Sequence, residues 1–273
     1  MPFEEPLVLT VAPNGARKTK KDHPALPILP EELAAEAAAC RDAGAAMIHL
    51  HVRDAQEGHS LDAGRYAEAI AAIRERVGDG MVIQMTSESV GIYGPAEQIA
   101  AVRAVEPEAA SLALREFFGD PALEKEASRL CHELAERGCM AQYILYSDED
   151  MVAFDRLVAR GLIPARNLFL LFVLGRYTPG QKSDPSDLLP YLSRNKEGHR
   201  WAVCAFGAKE AACAGAALCL GGHVRVGFEN NLFLADGSRA PSNAALVTQA
   251  ASVAKTLGRP LADAKSLRAL LAP

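Results

Sequence analysis

Short apolar runs alternate with Ala-rich, charge-flanked segments of helical length along the whole chain. The runs are Leu7–Val11, Met47–Val52, Met81–Met85, Ala109–Leu114, Met140–Tyr146, Asn167–Leu174, Arg200–Phe206 and His223–Phe228. Between them the pattern predicts helices at about 31–43, 62–77, 96–105, 121–137, 149–160, 184–194, 207–220 and 241–257, with one more at 261–271. Pro30 before Glu31 and Glu32 opens the first helix, with acids where the helix dipole is positive, and Gly44 closes it. Asp120-Pro121 and Gly138 bracket the fourth in the same way. Runs apolar at consecutive positions, such as Leu168 to Leu174, suit parallel strands covered on both faces. Eight such strand–helix units predict a (β/α)8 TIM barrel, one catalytic domain over residues 1–273. A doubly wound open sheet is the alternative, but it more often has roughly five to seven strands.

A barrel of this kind carries its chemistry at the C-terminal ends of the strands. Polar residues gather there: Asn14 after the first run, His49 to Asp54 ending the second, and Gln84 to Ser89 ending the third. Arg115-Glu116 ends the fourth and Arg225 to Asn231 the eighth. Side chains two apart on a strand point the same way, so His49 and His51 would enter the barrel together. Two neutral imidazoles make half of a zinc site, and a catalytic zinc ordinarily takes a third protein ligand. Glu229 is the candidate, because the first run has the second and eighth as neighbours in a closed barrel. By the same period Arg225, Gly227 and Glu229 share a face, with Gly227 leaving room between guanidinium and carboxylate. A purely structural Arg225–acid pair is the competing interpretation. His223 falls about 20 Å below Glu229 at the usual rise per residue and is assigned a structural place. His23, His59, His132 and His199 receive no role.

Composition changes this picture little. The chain is 49% hydrophobic and 23% charged, with a net charge of -5, which argues against a nucleic-acid partner. The basic cluster Arg17, Lys18, Lys20 and Lys21 suits a solvated loop or a CoA phosphate. Residues 1–5 lack the features of a leader, and no apolar stretch reaches the roughly 18 residues of a membrane span, so a cytoplasmic protein is expected. The six cysteines (Cys40, Cys131, Cys139, Cys204, Cys213 and Cys219) show no CxxC spacing and suit small buried hydrophobes. Neither a GxGxxG after an early strand nor a GxSxG is present.

At Thr10 to Ala16, His49 to Asp54, Gly221 to Asn231 and Ala240-Pro241-Ser242-Asn243, the chain resembles the β-keto acid cleavage enzyme family. The resemblance runs end to end. It implies a divalent metal, usually zinc, on His49, His51 and Glu229. It also implies that a β-keto acid and acetyl-CoA give acetoacetate and a new acyl-CoA by enolate attack on the thioester and a retro-Claisen step. Arg225 matches the family's catalytic arginine. Ser87, with Thr86, matches the hydroxyl residue near the substrate carboxylate, and Ser111 another polar contact. Asn14 lies in the matching loop after the first run. A homo-oligomer, dimer or tetramer, is expected by analogy.

Three departures bear on substrate. Asn230 stands where the family's aminohexanoate enzyme has an acid paired with the arginine; an amide can orient a guanidinium through its carbonyl but takes no proton at neutral pH. Arg17 replaces the acid that receives the substrate ammonium, and Arg115-Glu116 replaces a glycine-rich strand end. A neutral or acidic tail is therefore expected, with Arg115 reading a carboxylate or else pairing with a nearby acid. Rival readings are another zinc barrel, an aldolase or hydrolase, and a non-catalytic sensor barrel. An HxH on the second strand rather than the first disfavours such a hydrolase, and a buried Arg225 disfavours the sensor.

Overall fold

The computed structural model describes residues 5–271; residues 1–4, on which the leader expectation drew, and 272–273 lie outside it. The chain opens with β1 (Leu9–Val11), α1 (Pro30–Asp42), β2 (Met47–Leu50), β3 (Val52–Arg53), β4 (His59–Ser60) and α2 (Ala63–Val77). There follow β5 (Val82–Thr86), α3 (Pro95–Val105), β6 (Ala109–Ala113), α4 (Leu114–Phe118), α5 (Glu124–Glu136), β7 (Met140–Leu145) and α6 (Asp148–Ala159). The last third holds β8 (Phe169–Leu174), α7 (Leu188–Arg194), β9 (Arg200–Ala205), α8 (Glu210–Cys219), β10 (His223–Val226), α9 (Asn243–Thr256) and α10 (Ala264–Leu270).

Eight parallel strands close in the order β1-β10-β9-β8-β7-β6-β5-β2, and β2 returns to β1. Each predicted run coincides with one barrel strand, the third strand extending one residue past its run to Thr86. Met47, Val82, Phe169 and Leu171 belong to the cluster inside the barrel, while the other face of each strand packs on the helices. Ala264, Leu267 and Leu271 of the C-terminal segment join that inner cluster beside Val8, Ala46 and Val82. These three residues lie at the strands' N-terminal ends, so that mouth is plugged and the opposite one carries the site. No helix among the described residues is long and apolar enough to cross a membrane.

The structure departs from the pattern in three places. The second run breaks after Leu50, and Val52–Arg53 pairs antiparallel with His59–Ser60 outside the barrel. Arg53 accounts for the turn-out, since its guanidinium donates to the carbonyls of Gly15, Lys18 and Glu57. Arg115 and Glu116 are not a strand end but part of the short helix α4. The helix expected at 184–194 begins as a 3-10 turn, Pro185–Asp187, capped by the Asp184 side chain.

Candidate active site

The β2–β5 register sets His49 beside Gln84, both facing the interior. His49 Nδ1 lies 2.7 Å from Gln84 Oε1, and Gln84 Nε2 donates to Gln142 Oε1 at 3.1 Å. Since the amide oxygen can only accept, His49 carries its proton on Nδ1 and offers a bare Nε2. His51 Nε2 lies 3.3 Å from Glu88 Oε2, which places a proton on Nε2 and leaves Nδ1 as the nitrogen turned to Glu229. The two rings stand edge to face with centroids 4.9 Å apart. His51 keeps this direction although it has left the ladder, because Asn14 Nδ2 holds its carbonyl at 3.2 Å.

Glu229 arrives by a turn, not by the pleat. The strand ends at Val226, and Gly227 at φ 142° lies so close to β1 that a Cβ there would meet the Ala12 carbonyl at 2.3 Å. Gly227 therefore serves the contact between β10 and β1, which corrects the expectation that it spaces Arg225 from Glu229. Asn230 and Asn231 both donate their N–H groups back to the Gly227 carbonyl, and Glu229 N–H donates to Ala12. Gly15, at φ 63°, lets the Glu229 side chain pass; a Cβ would come within 2.6 Å of its Cγ. Asn243 joins the two loops, accepting from Phe228 N–H at 2.7 Å and donating to the Pro13 carbonyl at 3.2 Å.

The result brings three donors together. Glu229 Oε2 lies 3.8 Å from His49 Nε2 and 3.7 Å from His51 Nδ1. Tetrahedral zinc with bonds of about 2.1 Å separates its ligands by about 3.4 Å, close to these two separations, and all three donor atoms lie within 4.8 Å of one another. His51 Nδ1 and Glu229 Oε2 are buried without a hydrogen-bond partner among the described residues, which is costly unless something binds them. Burial, helped by the Arg225 charge, holds His49 down at about 3, so its ring is neutral. Against burial, the Arg225 charge keeps Glu229 ionised, at about 2. A neutral His49 ring and an ionised carboxylate fit a divalent metal.

Arg225 is 4% exposed, and its Nη2 reaches Cys204 Sγ at 3.0 Å and Glu229 Oε1 at 3.1 Å. The register sets Arg225 directly beside Cys204. Asn230 does not touch the guanidinium. Its Oδ1 accepts from the Cys204 thiol at 3.1 Å, while its Nδ2 donates to the Arg225 carbonyl and to Glu210, correcting the expected direct amide–guanidinium contact. Cys204 is thus a member of a polar chain and not only a small hydrophobe.

Two small adjoining cavities, of about 90 and 20 Å³, share Glu88, Arg176, Phe206 and Glu229. Thr86 and Arg225 line the inner one, Asn14 and Arg17 the outer. Arg17 is exposed, and Lys18 beside it donates Nζ to the Glu229 carbonyl at 2.6 Å. Ser87 spends its hydroxyl on the Ser111 carbonyl at 2.6 Å, whereas the buried Ser111 Oγ has no partner among the described residues. Arg115 is held at the rim by Asp150 at 2.7 Å and Ser147 at 2.8 Å. Glu116 instead accepts from Ser89 N–H and Gln98, fixing the loop after β5.

Sequence reasoning passed over Glu88 and Arg176. Arg176 Nη2 lies 3.1 Å from Glu88 Oε1, with the guanidinium 5.1 Å from the Phe206 ring centre. Burial pushes the Glu88 carboxyl up, but His51 and Arg176 hold it well below the usual carboxylate range. His59, also given no role, pins this loop by its Nε2 contact with the Glu88 carbonyl at 2.8 Å. Both missed residues sit two places beyond a barrel strand, where the rule that singled out Arg115 applies equally.

A larger cavity, about 1060 Å³, opens elsewhere, among Glu5, His199, Arg200, His223 and Arg259. It belongs to the strands' N-terminal side, where Glu5 pairs with Arg200 and His223 Nδ1 accepts from Val8 N–H. His223 thus lies at the end of the barrel opposite Glu229, where its place in the eighth run puts it.

The chain has relatives. The chain is 34% identical over 274 residues, 98% of either chain, to a 3-keto-5-aminohexanoate cleavage enzyme of Fusobacterium nucleatum. It is 29% identical to a 3-oxoadipate:acetyl-CoA acetyltransferase of Cupriavidus necator, covering 98% of this chain and 95% of that one. Among solved structures, apo ObcA superposes with a TM-score of 0.74 at 17% identity, over 91% of this chain and 65% of its own, a likeness of fold. Residues 6–272 match the beta-keto acid cleavage enzyme family from end to end, and with the metal-ready triad at the barrel mouth this chain belongs to that family.

Proposed function

We propose that the protein converts a β-keto acid and acetyl-CoA into acetoacetate and a new acyl-CoA, using Zn²⁺ held by His49, His51 and Glu229. The observation that carries this reading is the meeting of His49 Nε2, His51 Nδ1 and Glu229 Oε2 beside an arginine whose Nε and Nη1 find no partner among the described residues. When bound, the cation supplies Lewis acidity for the keto oxygen. In the overall exchange a bond forms between C2 of the keto acid and the acetyl carbon. The CoA sulfur passes to the former keto carbon, and the C2–C3 bond breaks.

The chain's own groups have roles in that exchange. Arg225 offers Nε and Nη1 to negative charge developing at the reacting carbonyls in a water-poor site. Gln84 and Glu88 fix the tautomers of the two histidines. Thr86 and the Ser111 hydroxyl, unpartnered among the described residues, are available to the substrate carboxylate, with Ser87 bonded to the Ser111 carbonyl. Asn230 acts from behind Arg225, and Arg17 and Lys18 border the outer cavity, where CoA phosphates would approach.

A neutral or acidic tail fits better than an amine. Arg176 lines both cavities, and the acid beside it, Glu88, is already engaged by Arg176 and His51. No acid lines the outer cavity at positions 14–18. The test is a panel of β-keto acids incubated with acetyl-CoA and the zinc-loaded protein, reading acetoacetate and the mass of the acyl-CoA. Turnover of 3-oxoadipate above 3-keto-5-aminohexanoate is expected. Clear preference for the amino compound would reverse the assignment of the tail, and acetyl-CoA-independent turnover would overturn the reaction.

A further inference from the structure

Arg225 has five N–H hydrogens to place. Nη2 uses both of its own, one toward Cys204 Sγ at 3.0 Å and one toward Glu229 Oε1 at 3.1 Å. Nε and Nη1 are buried and find no partner among the described residues. The guanidinium is therefore oriented through a single nitrogen, and its remaining edge is left for substrate. Of the two contacts on Nη2, Glu229 also answers to the cation. Cys204 is the contact that the cation does not share.

The thiol is itself held in one direction. Cys204 is fully buried on β9, and burial pushes its thiol up to about 12, so the sulfur keeps its proton. That proton faces Asn230 Oδ1 at 3.1 Å, leaving a sulfur lone pair toward Arg225. The orientation of the Asn230 amide follows from its donors, since Nδ2 reaches the Arg225 carbonyl at 3.2 Å and Glu210 Oε1 at 3.3 Å. Glu210 in turn receives Gly227 N–H and Asn231 Nδ2, both at 3.2 Å.

We propose that Cys204 is a positioning residue for Arg225 in the reaction inferred above, and that Asn230 and Glu210 act on the guanidinium through its thiol. The chemistry suits the position. A thiol is a weak acceptor, so it fixes direction without cancelling charge, whereas a carboxylate there would neutralise the cation that the substrate meets.

The test compares zinc-loaded Cys204→Ala, Cys204→Ser and Asn230→Ala with the unaltered chain, on a β-keto acid that the unaltered chain turns over. Cys204→Ala is expected to lower kcat 10- to 100-fold with KM changed less than about threefold and zinc content unchanged. Cys204→Ser, which keeps both a donor and an acceptor, should recover to within about threefold. Asn230→Ala leaves the thiol but removes its acceptor, and should cost at least about fivefold in kcat even if Cys204→Ala does not fold. Calorimetry with acetoacetate supplies a readout without turnover: Cys204→Ala should weaken binding in the unaltered background and add nothing to Arg225→Ala. Parental kcat in Cys204→Ala or Asn230→Ala, a Cys204→Ser as impaired as the alanine variant, or additive losses in binding would overturn the proposal. Absence of any turnover by the unaltered chain would instead remove the proposed reaction, and the binding comparison would still decide the place of Cys204.

Discussion

Glu88 Oε2 lies 3.3 Å from Nε2 of His51, and the same carboxylate reaches Arg176 at 3.1 Å through its other oxygen. One acid thus fixes the tautomer of a metal-ligand candidate and anchors the cation that lines the cavity.

Removing that acid should loosen the metal before it loosens the fold. Partners of metal-bound histidines are typically worth 10- to 100-fold in affinity, roughly. Glu88→Ala is expected to raise the zinc dissociation constant by about that factor in a competitive chelator titration, with far-UV dichroism unchanged. An affinity equal to the parent's would mean that Asn14 and the packing of His51 suffice to hold its ring.

Arg176 gives a prediction about substrate. Its loss takes a positive charge from the cavity and leaves Glu88 with His51 alone, so an acidic tail loses a partner while an ammonium gains one. Arg176→Ala should shift the ratio of kcat/KM for 3-oxoadipate over 3-keto-5-aminohexanoate toward the amine by at least about tenfold, worth some 1.4 kcal/mol. An unchanged ratio would show that the tail does not reach this part of the cavity.

The two glycines at the mouth should fail differently. At Gly227 an added Cβ meets a backbone carbonyl, and the conformation is one that L-residues rarely adopt. Gly227→Ala is expected to cost about 1–3 kcal/mol from the backbone alone, lowering Tm by about 2–4 °C per kcal/mol. At Gly15 the added Cβ meets the Glu229 side chain, which can swing away. Gly15→Ala should therefore lose zinc affinity out of proportion to its drop in Tm. Equal zinc affinity in the two variants would contradict this division of labour.

The barrel was legible because its strands are written as uninterrupted apolar runs and its helices as Ala-rich spacers. His49 and His51 were legible because a period of two survives one residue past the end of β2. Glu229 was found for a partly mistaken reason: the same period was carried past Val226, where the chain had already turned at Gly227. What stayed hidden depends on approach in space. Cys204 lies in an apolar strand and becomes polar only through its neighbours Arg225 and Asn230. Glu210 reads as an ordinary acid at a helix start, yet α8 turns it inward. Arg115 showed the reverse, a conspicuous charge at the right place whose partner, Asp150, waits on another helix.

Glu210 also supplies a test by pH. It is 2% exposed, accepts from Gly227, Asn230 and Asn231, and burial pushes its carboxyl up from 4.5 to about 8. Between those values the folded chain holds a proton that the unfolded chain has released. Its contribution to stability is therefore greatest below pH 4.5, declines as pH rises through about 8, and is level above that. Glu210→Gln has no proton to lose, and its amide keeps one carbonyl acceptor for the asparagines. Thermal unfolding at fixed zinc should show the unaltered chain losing Tm relative to Glu210→Gln between about pH 5 and pH 8.5, with the variant the more stable at the upper end. Parallel curves would mean that three N–H donors outweigh burial and keep Glu210 ionised throughout. The anchor of the Asn230–Cys204–Arg225 chain would then be a carboxylate rather than a carboxylic acid.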